Sequence, residues 1–181
     1  MATATLDRLA ALVLTEGARR IRDEATAYLA DAGPHAFGER YPDLADPFDD
    51  EGPSPIQLLT ALGQHPYPRT IGWCDWAGED EPGQVRSFIE VACRNLGLRA
   101  PRWDDRTEER VVESLGQDVL RGDYPPALLK DVDAQLAAVG LRLLVIDTGS
   151  DTYLFAPVST SQLSRLDGVE GEGFALRGAS T

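Results

Sequence analysis

The feature that most constrains the fold is Leu141 to Ile146, an apolar run whose single polar residue is Arg142. A stretch of that composition and length reads as a buried strand. Thr152 to Val158 reads as a second strand, joined to the first through the turn Gly149-Ser150-Asp151. A third is expected at Thr70 to Trp76, where Ile71, Trp73 and Asp75 alternate with Gly72, Cys74 and Trp76. Apolar groups on both of its faces make it an interior strand. The expected fold is therefore α+β: a small mixed or antiparallel sheet of about three strands, backed by helices and preceded by a long N-terminal helix.

Helical spacing accounts for most of the remainder. Leu14, Ala18, Ile21, Ala25 and Tyr28 recur at helical intervals after Leu6, Leu9, Ala10 and Val13. This predicts one helix from Leu6 to Ala30, stopped by Gly33-Pro34. Gly38 to Pro53 is acidic and proline-rich without an apolar period, and reads as a solvated loop. Ser54-Pro55-Ile56-Gln57 combines a capping box with a proline at the first helical position, opening a short helix to Leu62. Val85, Phe88, Ile89, Ala92 and Leu96 share one helix face, closed by Gly97. Further helices are expected over Glu108 to Leu120, capped by Thr107, and after Pro125-Pro126, with Leu129, Val132, Leu136 and Val139 inward. Ser159 with Gln162 caps another, to Leu166. The organisation expected is an N-terminal helix and acidic loop over residues 1–53, an α+β domain over 54–167, and a flexible Gly-rich tail over 168–181 that can hold an edge strand at Phe174 to Leu176.

Charge narrows the function classes. Thirty Asp and Glu against 17 Lys and Arg leave a net charge of −13. Such a surface repels phosphate backbones and anionic lipid, which argues against nucleic-acid and membrane roles. The longest apolar run near the N-terminus, Leu9 to Leu14, is far short of the about 20 residues that span a bilayer. Met1 to Leu6 carries no basic residue, so a secretory leader is not expected. Cys74 and Cys93 form no CxxC pair and suit a reducing compartment, so the chain is expected to be cytoplasmic. Sixteen arginines to one lysine, with abundant Ala and Gly, fit a GC-rich bacterial genome.

Few motifs carry chemistry. Val145-Ile146-Asp147-Thr148-Gly149-Ser150 resembles the active-site turn of aspartic proteases, in which two such Asp residues share a proton. Those enzymes are almost wholly β and continue well beyond that turn. Here helix dominates the chain before it, and no second Asp-Thr-Gly is present. A hairpin turn, with Gly149 at positive φ and Asp147 or Asp151 accepting turn amides, explains the same residues. His35, His65, Cys74 and Cys93 lack the short paired spacings of a zinc site, and the acidic clusters lack the alternating register of a calcium loop. No metal or cofactor is expected. No phosphate-cradling loop and no serine elbow is present.

Gly72-Trp73-Cys74-Asp75-Trp76, the helix ending Asn95-Leu96-Gly97, Trp103 with its acidic neighbours, and Leu144 to Tyr153 occur in an order that is similar to a bacterial family known only as a domain of unknown function. Its members pair a G-x-x-D-W strand with a later D-T-G-S-D-x-Y hairpin. The resemblance spans Thr70 to Leu166 and leaves the N-terminal helix and the Gly38–Pro53 loop outside. It implies no catalytic role.

The candidate binding residues are Trp73, Asp75, Trp76, Asp147, Asp151 and Tyr153. Three functions compete. The first is a non-enzymatic acidic interaction protein, with a basic protein partner of the kind toxin-neutralising immunity proteins have. The second is a hydrolase-type enzyme using Asp75, Asp147 and Asp151, with or without a divalent metal. The third is a structural or regulatory module with an exposed N-terminal arm. Convergence of the three carboxylates in one cleft would separate the second from the first.

Overall fold

The computed structural model describes residues 2–45, 51–116, 120 and 122–180. Its centre is the hairpin of β2 (Leu141–Asp147) and β3 (Thr152–Ser159), paired antiparallel with Leu144 opposite Ala156 and Ile146 opposite Leu154. β1 (Gly72–Asp75) adds to the outer side of β3, and β5 (Phe174–Gly178) to the outer side of β2, with the two-residue β4 (Glu170–Gly171) beyond it. The order is β1-β3-β2-β5-β4, and every pairing is antiparallel.

Helices cover both faces of this sheet. Leu144, Ile146, Leu154, Ala156, Phe174 and Leu176 pack against α1 (Ala2–Val13), α2 (Glu16–Arg40) and α3 (Pro55–Leu62). Leu141, Leu143, Val145, Tyr153 and Phe155 pack against α4 (Gln84–Leu96), α5 (Thr107–Leu115) and α6 (Tyr124–Ala137). The short α7 (Thr160–Leu163) follows β3 under its own capping box from Ser159 and Gln162. Two covered faces explain why β2 is apolar at successive positions although its sheet is antiparallel, an arrangement that more often leaves one face wet.

Several expectations are corrected. The sheet has five strands among the described residues rather than about three, because the segment expected as a tail supplies β4 and β5. The strand expected at Phe174 to Leu176 is present, with Phe174 and Leu176 inward and Ala175 and Arg177 on the other face, but β4 pairs along its outer side, so it is not the sheet edge. β1 is an edge strand and not an interior one; it reads as interior because α4 shields the face that β1 shares with Cys74. The N-terminal helix is two helices: the chain breaks at Thr15, whose Oγ1 accepts the Ala18 N–H at 3.3 Å and starts α2. Gly33, at φ +80° and ψ 170°, is non-helical and interrupts α2 ahead of Pro34, as expected; a further helical segment then runs on to Arg40. Thr107 is the first helical residue of α5 and not its cap. It is buried, donates to the Asp104 carbonyl at 2.7 Å and accepts from Gln135 Nε2 at 2.8 Å. Residues 46–50 of the acidic stretch, and 117–119 of the helix expected to reach Leu120, lie outside the described residues.

One buried charge locks the second layer. Asp133 of α6, 1% exposed, accepts from Arg142 Nε at 2.9 Å and Nη2 at 2.7 Å, from the Leu143 N–H at 2.7 Å, and from Ser180 Oγ. It therefore ties α6 to β2 and to the residues that follow β5.

Candidate functional site

Where the β2–β3 hairpin turns, the sheet face carrying Val145 and Tyr153 opens into a cavity of about 410 Å³. Pro126 and Leu129 at the start of α6 wall it on one side, Trp76 stands at the end of β1, and Asp147, Asp151 and Arg177 line the polar part. That volume falls within the range of small-ligand sites, roughly 300–1,000 Å³.

Local chemistry places each group. Asp147 is the last residue of β2, and its Oδ1 accepts the Gly149 N–H at 2.9 Å. Gly149 sits at φ +72°, the left-handed turn geometry that glycine adopts without strain. Ser150 Oγ stands 3.1 Å from Thr148 Oγ1 and accepts the Thr152 N–H at 3.4 Å. The other oxygen of Asp147, Oδ2, pairs with Arg177 Nη2 at 3.0 Å. Arg177 reaches it from β5, where it lies opposite Val145 and so on the cavity face. The Asp151 carboxylate is exposed, and no described residue hydrogen-bonds it. The Asp151 carbonyl accepts the Trp76 N–H at 2.9 Å, which carries the β1–β3 pairing past Asp75 and fixes Trp76 over the cavity. A methyl group added at Gly122 would come within 3.5 Å of Trp76 Cε3, so the loop backbone runs close beside the indole.

Four of the six residues expected at a site thus meet: Trp76, Asp147, Asp151 and Tyr153 line one cavity. Trp73 and Asp75 do not. Trp73 points to the opposite face, packs on the α1–α3 core and sets its ring 6.0 Å from that of Phe88. Asp75 caps the bend after β1 by accepting the Ala77 N–H at 2.8 Å. The three carboxylates proposed for hydrolysis therefore do not share a cleft. Trp76 is 37% exposed where it borders the cavity. Arg177 was missed. The signal was its position one residue beyond the Phe174–Leu176 alternation, on the face of Val145. In the sequence, Pro126 and Leu129 carry only helix-start and core signals.

The remaining nucleophile candidates are chemically quiet. Burial, reinforced by the charges of Glu79, Asp75 and Asp80, pushes the Cys74 thiol up to about 12; burial, with Glu90, pushes Cys93 up to about 11. Neither forms the thiolate that attack requires near neutral pH. His35 and His65 are exposed, whereas both cysteines are buried. Among the described residues no cluster of three or more His, Cys, Asp or Glu is placed to hold a metal, and no helix is long and apolar enough to cross a membrane.

Residues 5–173 match the model of a family described as a domain of unknown function (DUF6630). The chain belongs to that family. The match is wider than the Thr70 to Leu166 resemblance: it takes in most of α1 with all of α2 and α3, so the N-terminal helices are part of the family's domain. No curated protein and no solved structure matches the chain.

Proposed function

We propose that this family member is a non-enzymatic, cytoplasmic binding protein of bacterial origin whose cavity receives a cationic side chain from a basic protein partner. One observation carries the reading: the cavity joins an aromatic and apolar wall, Trp76, Tyr153, Leu129 and Val145, to the carboxylates Asp147 and Asp151, in a chain of net charge −13. A long cationic side chain has matching parts, an apolar stem and a charged head. Its stem packs on Val145 and Leu129, while the head is attracted by the carboxylates and by the indole face. The excess negative charge steers a basic partner toward this surface, so association slows as salt rises.

The test is a titration followed by tryptophan fluorescence, using a Trp-free basic peptide, an acidic peptide of equal length and a nucleic-acid duplex. The basic peptide binds at low salt, more weakly at physiological salt, and Asp151→Asn and Trp76→Ala each weaken it. Equal binding of the acidic peptide, or capture of the duplex at physiological salt, refutes the reading.

A further inference from the structure

We infer that the group this cavity takes is a guanidinium, and that Arg177 occupies the guanidinium position until the ligand displaces it. The inference rests on the cationic-ligand reading above and adds the chemical class and the mode of exchange. The protein's own Arg177 is a tethered example of the ligand: its Nη2 sits 3.0 Å from Asp147 Oδ2, at a carboxylate that lines the cavity.

Two features make the exchange inexpensive. Arg177 is 62% exposed and Asp147 40%, so their pair is hydrated and screened, the kind of contact that contributes little to stability. Arg177 lies opposite Val145 on β5, next to the β4 edge, and its long side chain can turn outward and stay hydrated without disturbing the strand. Asp147 stays in place through the exchange, because its Oδ1 is held by the Gly149 N–H at 2.9 Å. An incoming guanidinium takes over the bond to Oδ2. It also gains Asp151, whose carboxylate no described residue hydrogen-bonds, and a planar face to lay on the Trp76 ring. With Arg177 in place the cavity holds two carboxylates and one guanidinium; with Arg177 turned out, both carboxylates face the ligand.

The site favours guanidinium over ammonium. Guanidinium is planar, weakly hydrated and presents donors in a fork, whereas the lysine head is a compact, strongly hydrated charge with no face to stack. An arginine within a polypeptide and a free guanidine such as agmatine share this chemistry.

The experiment measures, by calorimetry, binding of a glycine-flanked single-arginine peptide, its lysine counterpart and agmatine to wild type, Arg177→Gln, Asp147→Asn and the Arg177→Gln/Asp147→Asn double variant. The arginine peptide binds wild type more tightly than the lysine peptide. R177Q tightens the arginine peptide by about fivefold, the upper range for an exposed ion pair, and the gain disappears in the double variant. If wild type binds the arginine peptide but R177Q binds it no better, the exchange is wrong and the cationic-ligand reading stands. If no variant binds either peptide or agmatine, both fail. Agmatine binding as tightly as the peptide, with the R177Q gain retained, supports the exchange and overturns the protein-partner part of the reading.

Discussion

Replacing Asp133 by alanine should cost about 3 kcal/mol. The number is built from what the carboxylate satisfies. Leu143 is fully buried, so its N–H has no water to donate to once the carboxylate is gone, and that loss alone is worth about 1–3 kcal/mol. Arg142 loses a forked contact; breaking a fully buried ion pair costs about 3–5 kcal/mol. Arg142 is 25% exposed, however, and recovers part of that loss through water, which brings the total down. Asp133→Asn keeps one acceptor and the side-chain shape, and should cost about half as much. In a chain of this length, about 3 kcal/mol lowers Tm by roughly 6–12 °C. Urea unfolding at neutral pH gives the free energy directly, with an unchanged m-value as the control.

The same residue sets a pH dependence. Burial pushes its carboxyl up, but the hydrogen bonds from Arg142, Ser180 and the Leu143 N–H outweigh this and hold it below its ordinary value of 3.8. The charged form is thus favoured in the folded state. The stabilisation is complete above the unfolded-state value and is lost as pH falls through the lower folded-state value. The gap between wild type and D133N should be constant from neutral pH down to about pH 5 and close in more acidic solution. A D133A cost below about 1 kcal/mol, or a gap that does not close in acid, would refute the reasoning. The Ser180 contact adds a functional consequence, since the residues just before it, Arg177 to Ala179, line the cavity. D133A should weaken ligand binding as well as stability.

Trp73→Ala should cost about 3 kcal/mol by emptying a site on the α1–α3 core, whereas Trp76→Ala should cost about 1 kcal/mol in urea unfolding and act mainly on binding. Equal stability losses would contradict the placement of the two rings on opposite faces. Cys74 and Cys93, with thiols pushed up to about 12 and about 11, should resist a thiol-specific reagent at pH 8 until the protein is unfolded; fast native labelling would argue against their burial. Gly72→Ala should destabilise by about 1–3 kcal/mol, because the added methyl runs into the Phe155 ring and the Phe88 Cβ; a neutral result would show that the Phe155 ring moves aside freely.

The amino-acid sequence by itself determined what depends on neighbours a few residues away. The β2–β3 hairpin was legible because an apolar run, a turn with Gly149 and a second apolar run are local signals. The bounds of α3 and the start of α7 were legible because Ser54 with Gln57 and Ser159 with Gln162 close their capping boxes within one turn. The α+β class follows from the same periods. The order of the sheet does not. Whether β1 lies inside or at the edge, and whether Phe174–Gly178 trails away or pairs with β2, depends on contacts between segments about 30 to 80 residues apart, which no local period encodes. The cavity is decided at that level too. Trp76 joins it through the Asp151 carbonyl and Arg177 through the β2–β5 register, while Asp75, adjacent to Trp76 in the chain, is turned to the other face by the two-residue period of the strand. Composition could name the aromatic and acidic residues; only the pairing of four separate segments could bring an indole, a phenol, two carboxylates and a guanidinium around one space.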